Sequence, residues 1–194
     1  MTENMDRRLP VGVQSFEKIR KGGYLYVDKT DLIWKLANRA KTYNYLSRPR
    51  RFGKSLLIDT LQSYFEGKKE LFEGLKIMDL EKEWIKHPVI RLDMSLAGAE
   101  PELIRGYLDD CFYEYEQEYS ITVRPENTLA VRFKNIIAEA YKKSGQQVVV
   151  LIDEYDSPLQ HSWKTPQHEA CTAIYKEVFA VLKRQDQYER FVFI

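Results

Sequence analysis

Two short runs carry the residue types that handle phosphate and a hard cation: Arg48-Pro49-Arg50-Arg51-Phe52-Gly53-Lys54-Ser55, and Asp153-Glu154-Tyr155-Asp156 much later in the chain. The first follows the frame Gly-x-x-x-x-Gly-Lys-Ser/Thr. In that frame backbone N–H groups at a helix start cradle phosphates, the lysine reaches the β and γ groups, and the hydroxyl ligates magnesium. Arg48 stands where the frame has its first glycine, and arginine resists the backbone angles and close approach that glycine permits there. Gly-Lys-Ser/Thr alone arises by chance in on the order of one in ten chains of this length. The tripeptide therefore draws its weight from its setting.

The second run supplies part of that setting. An acidic residue ending a parallel strand beside a phosphate loop holds magnesium, directly or through water, because this cation keeps several waters and takes few carboxylates. Asp153 fits that role, with the Ser55 hydroxyl as the other metal ligand. A neighbouring carboxylate can orient or deprotonate the water that attacks a γ-phosphate, which assigns Glu154 as catalytic base alongside Lys54. The loop from Arg48 to Ser55, with Leu56 after it, is the candidate nucleotide-binding segment, and the implied ligands are a nucleoside triphosphate and Mg2+. The bland alternative for 153–156 is a solvated strand end. Arg48, Arg50 and Arg51 could grip a triphosphate, bind nucleic acid or a protein partner, or simply be solvated or salt-bridged arginines. His87, His161 and His168 have no metal-ligand spacing and no triad signature, and no role is assigned to them.

The elements that must position these residues are readable from apolar periodicity. A strand is expected at Tyr43 to Ser47, feeding the loop, and a helix at Ser55 to Glu66 with Leu57, Leu61, Tyr64 and Phe65 on one face and Gly67 as its stop. Val148-Val149-Val150-Leu151-Ile152 reads as a central strand covered on both faces, leading straight into Asp153. Further strands are expected at Pro88 to Met94 and Phe191 to Ile194. Tyr24 to Val27 looks extended and runs into a helix from about Lys29, capped through Asp28 and Thr30. Pro101 starts a helix whose stripe is Leu103, Ile104, Tyr107, Leu108, Cys111, Phe112 and Tyr115, with the glutamates at 114, 116 and 118 facing solvent. Asn127 is the expected cap of a helix that Gly145 ends, and Thr165-Pro166 opens a last helix with Ala170, Ile174, Val178, Val181 and Leu182 inward. Strands alternating with helices imply an α/β fold with a mainly parallel sheet and helices on both faces.

With 194 residues the chain is long enough for one sizeable core, and 30 basic against 29 acidic residues leave a net charge of +1. No global field argues for nucleic acid or membrane as an obligate partner. Cys111 and Cys171 lack a Cys-x-x-Cys partner and read as reduced core thiols. No apolar run reaches the roughly 18 residues that span a bilayer, and the expected location is cytoplasmic. The expected organisation is a polar tail or linker over 1–23 and one domain over 24–194.

With these residues in view, the chain resembles the bacterial AAA-ATPase-like family, whose longer members often carry a C-terminal PD-(D/E)xK nuclease-like domain. The likeness spans almost the whole chain. Its marks are Leu9-Pro10-Val11-Gly12, the stretch Gly22 to Thr30 (GGYLYVDKT), Leu46 to Leu57 (LSRPRRFGKSLL), Tyr64-Phe65-Glu66-Gly67 and Leu151-Ile152-Asp153-Glu154-Tyr155-Asp156. The resemblance implies a P-loop NTPase of AAA/ASCE-like type in which the arginine-rich loop without its first glycine is the family's own form. It further implies an ATP-binding, magnesium-dependent ATPase-like domain coupled to an effector, with Tyr26-Val27-Asp28 near the adenine. The chain looks truncated after the fourth core strand, before the γ-phosphate-sensing residue and the helical lid that relatives carry. The main competing expectation is a non-hydrolysing nucleotide-binding scaffold whose arginines serve nucleic acid or a protein. A small-molecule P-loop kinase is disfavoured by the Asp153-Glu154 pair. Multimers are common where one subunit must complete another's site, which leaves a homo-oligomer open while the sequence does not give the oligomeric state.

Overall fold

The computed structural model describes residues 8–39, 41–47 and 52–194. The chain divides into two compact units, Met1–Lys41 with Leu46–His87, and Thr42–Tyr45 with Pro88–Ile194.

The first unit is helical: α1 (Phe16–Lys21), α2 (Thr30–Ala37), α3 (Lys54–Phe65) and α4 (Ile77–Leu80). Helix α1 falls in the stretch expected to be a polar tail. It forms because Ser15 caps it and because Phe16 and Ile19 are fully buried, which removes roughly 2–3 kcal/mol of apolar exposure for the phenylalanine alone. The Phe16 ring packs against Phe72 and Tyr26, at centroid distances of 4.8 and 5.2 Å. Its N–H donates to Asp59 Oδ2 on α3 at 2.6 Å.

Tyr24 to Val27 joins no sheet, and Asp28 does the local organising. Its Oδ1 accepts from the Thr30 N–H and hydroxyl at 2.9 and 2.7 Å, and its Oδ2 accepts from the Lys76 N–H at 2.8 Å. Burial would raise the Asp28 carboxyl, but these hydrogen bonds outweigh it and hold the group below its ordinary value. On α3 the buried face is Ile58, Leu61, Tyr64 and Phe65, with Leu57 half-buried where the spacing had placed it inward.

The second unit is an α/β layer with a four-stranded, all-parallel sheet: β1 (Tyr43–Asn44), β2 (Val89–Asp93), β3 (Val148–Asp153) and β4 (Glu189–Phe193), in the order β1-β4-β3-β2. Each strand after the first is reached through helices, as parallel pairing demands. All six residues of β3 are buried. The register sets Asp93 beside Asp153, and an irregularity between Val148 and Val149 lets β4 slip past β3 by one residue, at Arg190.

Ile90, Leu92, Val148, Val150 and Ile152 share one core with helices α5 (Pro101–Glu118), α6 (Leu129–Ser144) and α8 (His168–Phe179). A short α7 (Ser157–Ser162), absent from the periodicity reading, follows β3.

Several local expectations are corrected. Strand β1 has two residues and not five. Thr128, not Asn127, caps α6, its hydroxyl accepting from the Val131 N–H. Leu103 and Ala170 face outward. Glu116 is buried and pairs with Arg132, its two oxygens accepting from Nε and Nη2 at 2.7 and 2.8 Å. The helix turns that residue inward because α6 supplies the buried cation. Cys171 is buried and Cys111 half-buried, and both are free thiols. No helix among the described residues is long and apolar enough to cross a membrane.

Candidate functional site

The phosphate-loop candidates lie in the first unit. Gly53 sits at φ 75°, ψ 25°, the left-handed position from which α3 departs. Among the described residues nothing lies within 4 Å of where its Cβ would be, and the positive φ is what calls for glycine. Lys54 and Ser55 are the first two residues of α3, and both are half-buried. The first turn contains no acidic side chain, so no carboxylate of the helix's own opposes the positive end of its dipole. Phe52 is exposed, whereas Leu56 is half-buried, and its carbonyl accepts from the Thr60 hydroxyl at 2.7 Å. Arg48, Pro49, Arg50 and Arg51 lie outside the described residues.

The acidic candidates lie in the second unit, at the C-terminal edge of the sheet. Asp153 closes β3 and is 3% exposed, with Oδ1 accepting from the Glu154 N–H at 3.0 Å. Its neighbour across the register, Asp93, serves the local backbone instead. The Asp93 Oδ1 accepts from the Ser95 N–H and hydroxyl at 3.1 and 2.7 Å, capping a short 3-10 turn. Glu154 adopts φ 48°, a conformation that costs a non-glycine residue about 1 kcal/mol or more. The following turn offsets that cost. The Ser157 N–H donates to the Glu154 carbonyl at 2.9 Å. Tyr155 packs edge-on against Tyr175 and Phe179, at 5.2 and 5.0 Å, and burial raises its phenol.

A protein-family model described as predicted AAA-ATPase matches residues 10–194. The chain belongs to the predicted AAA-ATPase family. This AAA-ATPase-like chain is also 36% identical, over 194 residues, to the "Uncharacterized protein in vnfD 5'region" of Azotobacter chroococcum mcd 1, a likeness covering 97% of this chain and 37% of that protein. The chain thus spans little more than a third of the length of the curated relative it matches. No solved structure matches it.

Membership in the AAA-ATPase-like family agrees with the all-parallel sheet, which is compatible with a P-loop-like fold. The structure groups Gly53, Lys54 and Ser55 at one helix start and Asp153 with Glu154 at one strand end. His87 packs on Phe65, and His161 and His168 each place Nδ1 near a serine hydroxyl, at 3.4 and 3.1 Å. The left-handed backbone of Glu154 is a feature that sequence reading missed, since glutamate gives no hint of it.

Proposed function

We propose that this domain binds ATP with magnesium and hydrolyses it, coupling the cycle to an effector elsewhere in a longer protein. The observation that carries the reading is the sheet order. Strand β4 lies between β1, which leads into the Gly53-Lys54-Ser55 segment, and β3, which ends in Asp153-Glu154. Parallel strands deliver all their C-termini to one edge, where open α/β sheets bind ligands. Two strand spacings, roughly 10 Å, separate the strand that feeds the loop from the acidic strand.

The residues suit a hard cation and a triphosphate. Among the described residues no group of three or more histidine, cysteine or acidic side chains could hold a metal. A divalent ion here would therefore rely on one or two protein oxygens and its own waters, which is how magnesium binds beside phosphates. Ser55 and Asp153 would hold it, and it would neutralise charge on the β- and γ-phosphates. Lys54 and the first amides of α3 would bind those phosphates, and Glu154 would take a proton from the attacking water.

Calorimetric titration with ATP and magnesium tests the loop. Micromolar binding is expected, lost in Lys54→Ala, and equal heats for both proteins would remove the assignment. Glu154→Gln is expected to keep binding while phosphate release stops.

A further inference from the structure

The strand that feeds the candidate phosphate loop has an unusual anchor. Strand β1 is two residues long and is tied to β4 by the Val192 N–H donating to the Thr42 carbonyl at 2.8 Å and the Ile194 N–H donating to the Asn44 carbonyl at 3.0 Å. Its side-chain anchor is Tyr43, whose Oη lies 2.8 Å from the Leu182 carbonyl and 3.2 Å from Glu189 Oε2. A phenol has one hydrogen to give, and a carbonyl has none. With Tyr43 donating to Leu182, the Glu189 contact is a full second hydrogen bond when Glu189 is protonated and donates to Tyr43, whereas an ionised Glu189 has to share the single Tyr43 hydrogen with Leu182 or take it away.

The surroundings of Glu189 favour that neutral form. The residue is 2% exposed, and Oε1 is buried without a hydrogen-bond partner among the described residues. The groups facing it are the Tyr43 phenol from β1, the Asp186 carboxylate from the preceding 3-10 turn (Asp186–Tyr188), and Val148, its uncharged register partner on β3. No cation is paired with it among the described residues. A buried carboxylate with an acidic neighbour and no counter-charge is costly to ionise. Burial pushes the Glu189 carboxyl up to about 7, with the Tyr43 contact opposing and Asp186 reinforcing the shift. Burial and the nearby Glu189 in turn push the Tyr43 phenol up to about 12.

We propose that neutral Glu189 is a positioning residue: its proton, passed to Tyr43, clamps β1 in the sheet, and its ionisation releases the strand that leads into the phosphate loop. The functional half of this inference rests on the nucleotide reading above, whereas the clamp itself does not. The sign follows from linkage. The folded state holds the Glu189 proton more tightly than an open state with the ordinary value of 4.5, so the clamp is complete below about pH 4.5 and weakens as pH rises to about 7. Opening of β1 is expected to become about tenfold easier per pH unit across that window and to level off above it.

Hydrogen exchange on the intact protein between pH 5 and 8, corrected for intrinsic rates and read in a peptide covering residues 42–47, tests the clamp. Wild-type protection is expected to fall about tenfold per unit up to about pH 7, while Glu189→Gln, which keeps a neutral donor, stays protected throughout. Tyr43→Phe keeps the ring but loses the hydroxyl and serves if the first variant does not fold; it is expected to show less protection than wild type at pH 5, where the clamp is otherwise strongest. Flat wild-type protection, wild-type pH dependence in Glu189→Gln, or wild-type protection in Tyr43→Phe overturns the proposal. ATP titrations over the same range read the functional half, with affinity falling in wild type and unchanged with pH in Glu189→Gln. If no form binds ATP, the nucleotide reading fails and the exchange arm still decides the clamp. If ATP binds and the exchange is flat, only the clamp is lost.

Discussion

Two left-handed residues make opposite predictions about stability. Gly53 at φ 75° holds a backbone conformation that a Cβ disfavours, so Gly53→Ala is expected to cost about 1 kcal/mol. Glu154 at φ 48° bears that cost already, so Glu154→Gly is expected to raise stability by about 1 kcal/mol while abolishing turnover. Urea denaturation midpoints and phosphate release measure the two effects, and a Glu154→Gly protein that is less stable than wild type would refute the strain argument. The glycine was legible in the sequence because it stands between a strand and a helix in a Gly-Lys-Ser run, where a left-handed turn is expected. The glutamate conformation was not, because the residue type gives no sign of it and the packing of Tyr155 on Tyr175 and Phe179, which accompanies the turn closed by the Ser157 N–H, joins residues far apart in sequence.

At the scale of elements, the periodic segments were legible and their exceptions were set by partners. The run Val148 to Ile152 announced a strand buried on every residue, and it is one. Glu116 looked like one of a row of solvated glutamates because helical spacing cannot show that Arg132 of α6 faces it. With side chains 1% and 10% exposed, removing the acid leaves a buried guanidinium whose remaining carboxylate, Asp109, lies near solvent. Glu116→Ala is therefore expected to cost about 3 kcal/mol, and Glu116→Gln less because it retains one acceptor. Chemical denaturation measures both. Strand β1 was legible as a strand but not in length, since apolar character continues through Leu46 after pairing has ended at Asn44.

For the molecule as a whole, the parallel α/β layer was foreseeable from the alternation of strands and helices. The division into two units was not, because the chain passes between them at residues 41–42, 45–46 and 87–88 with no linker or change in composition. Its tyrosines give a global handle. Burial pushes Tyr115 up to about 12 and also raises Tyr107, Tyr119 and Tyr175. Because these folded values lie above the ordinary 10.0, stability present below that pH is lost as pH climbs through the raised values. A phenolate absorbance titration is expected to show an early exposed class, then a late class that ionises together with loss of far-ultraviolet circular dichroism. A single transition near pH 10 would contradict the burial of these four rings.

The pairing of Tyr43 with Val192 and of Asn44 with Phe193 also fixes an order of events during synthesis. Strands β2 and β3 and the helices between them can assemble while the ribosome is still translating, but β1, made early, has no partner until residues 192 and 193 emerge. The strand must wait unpaired until those residues have been made, and the slow, long-range closure of that pairing is the step most exposed to capture by chaperones or by a second nascent chain.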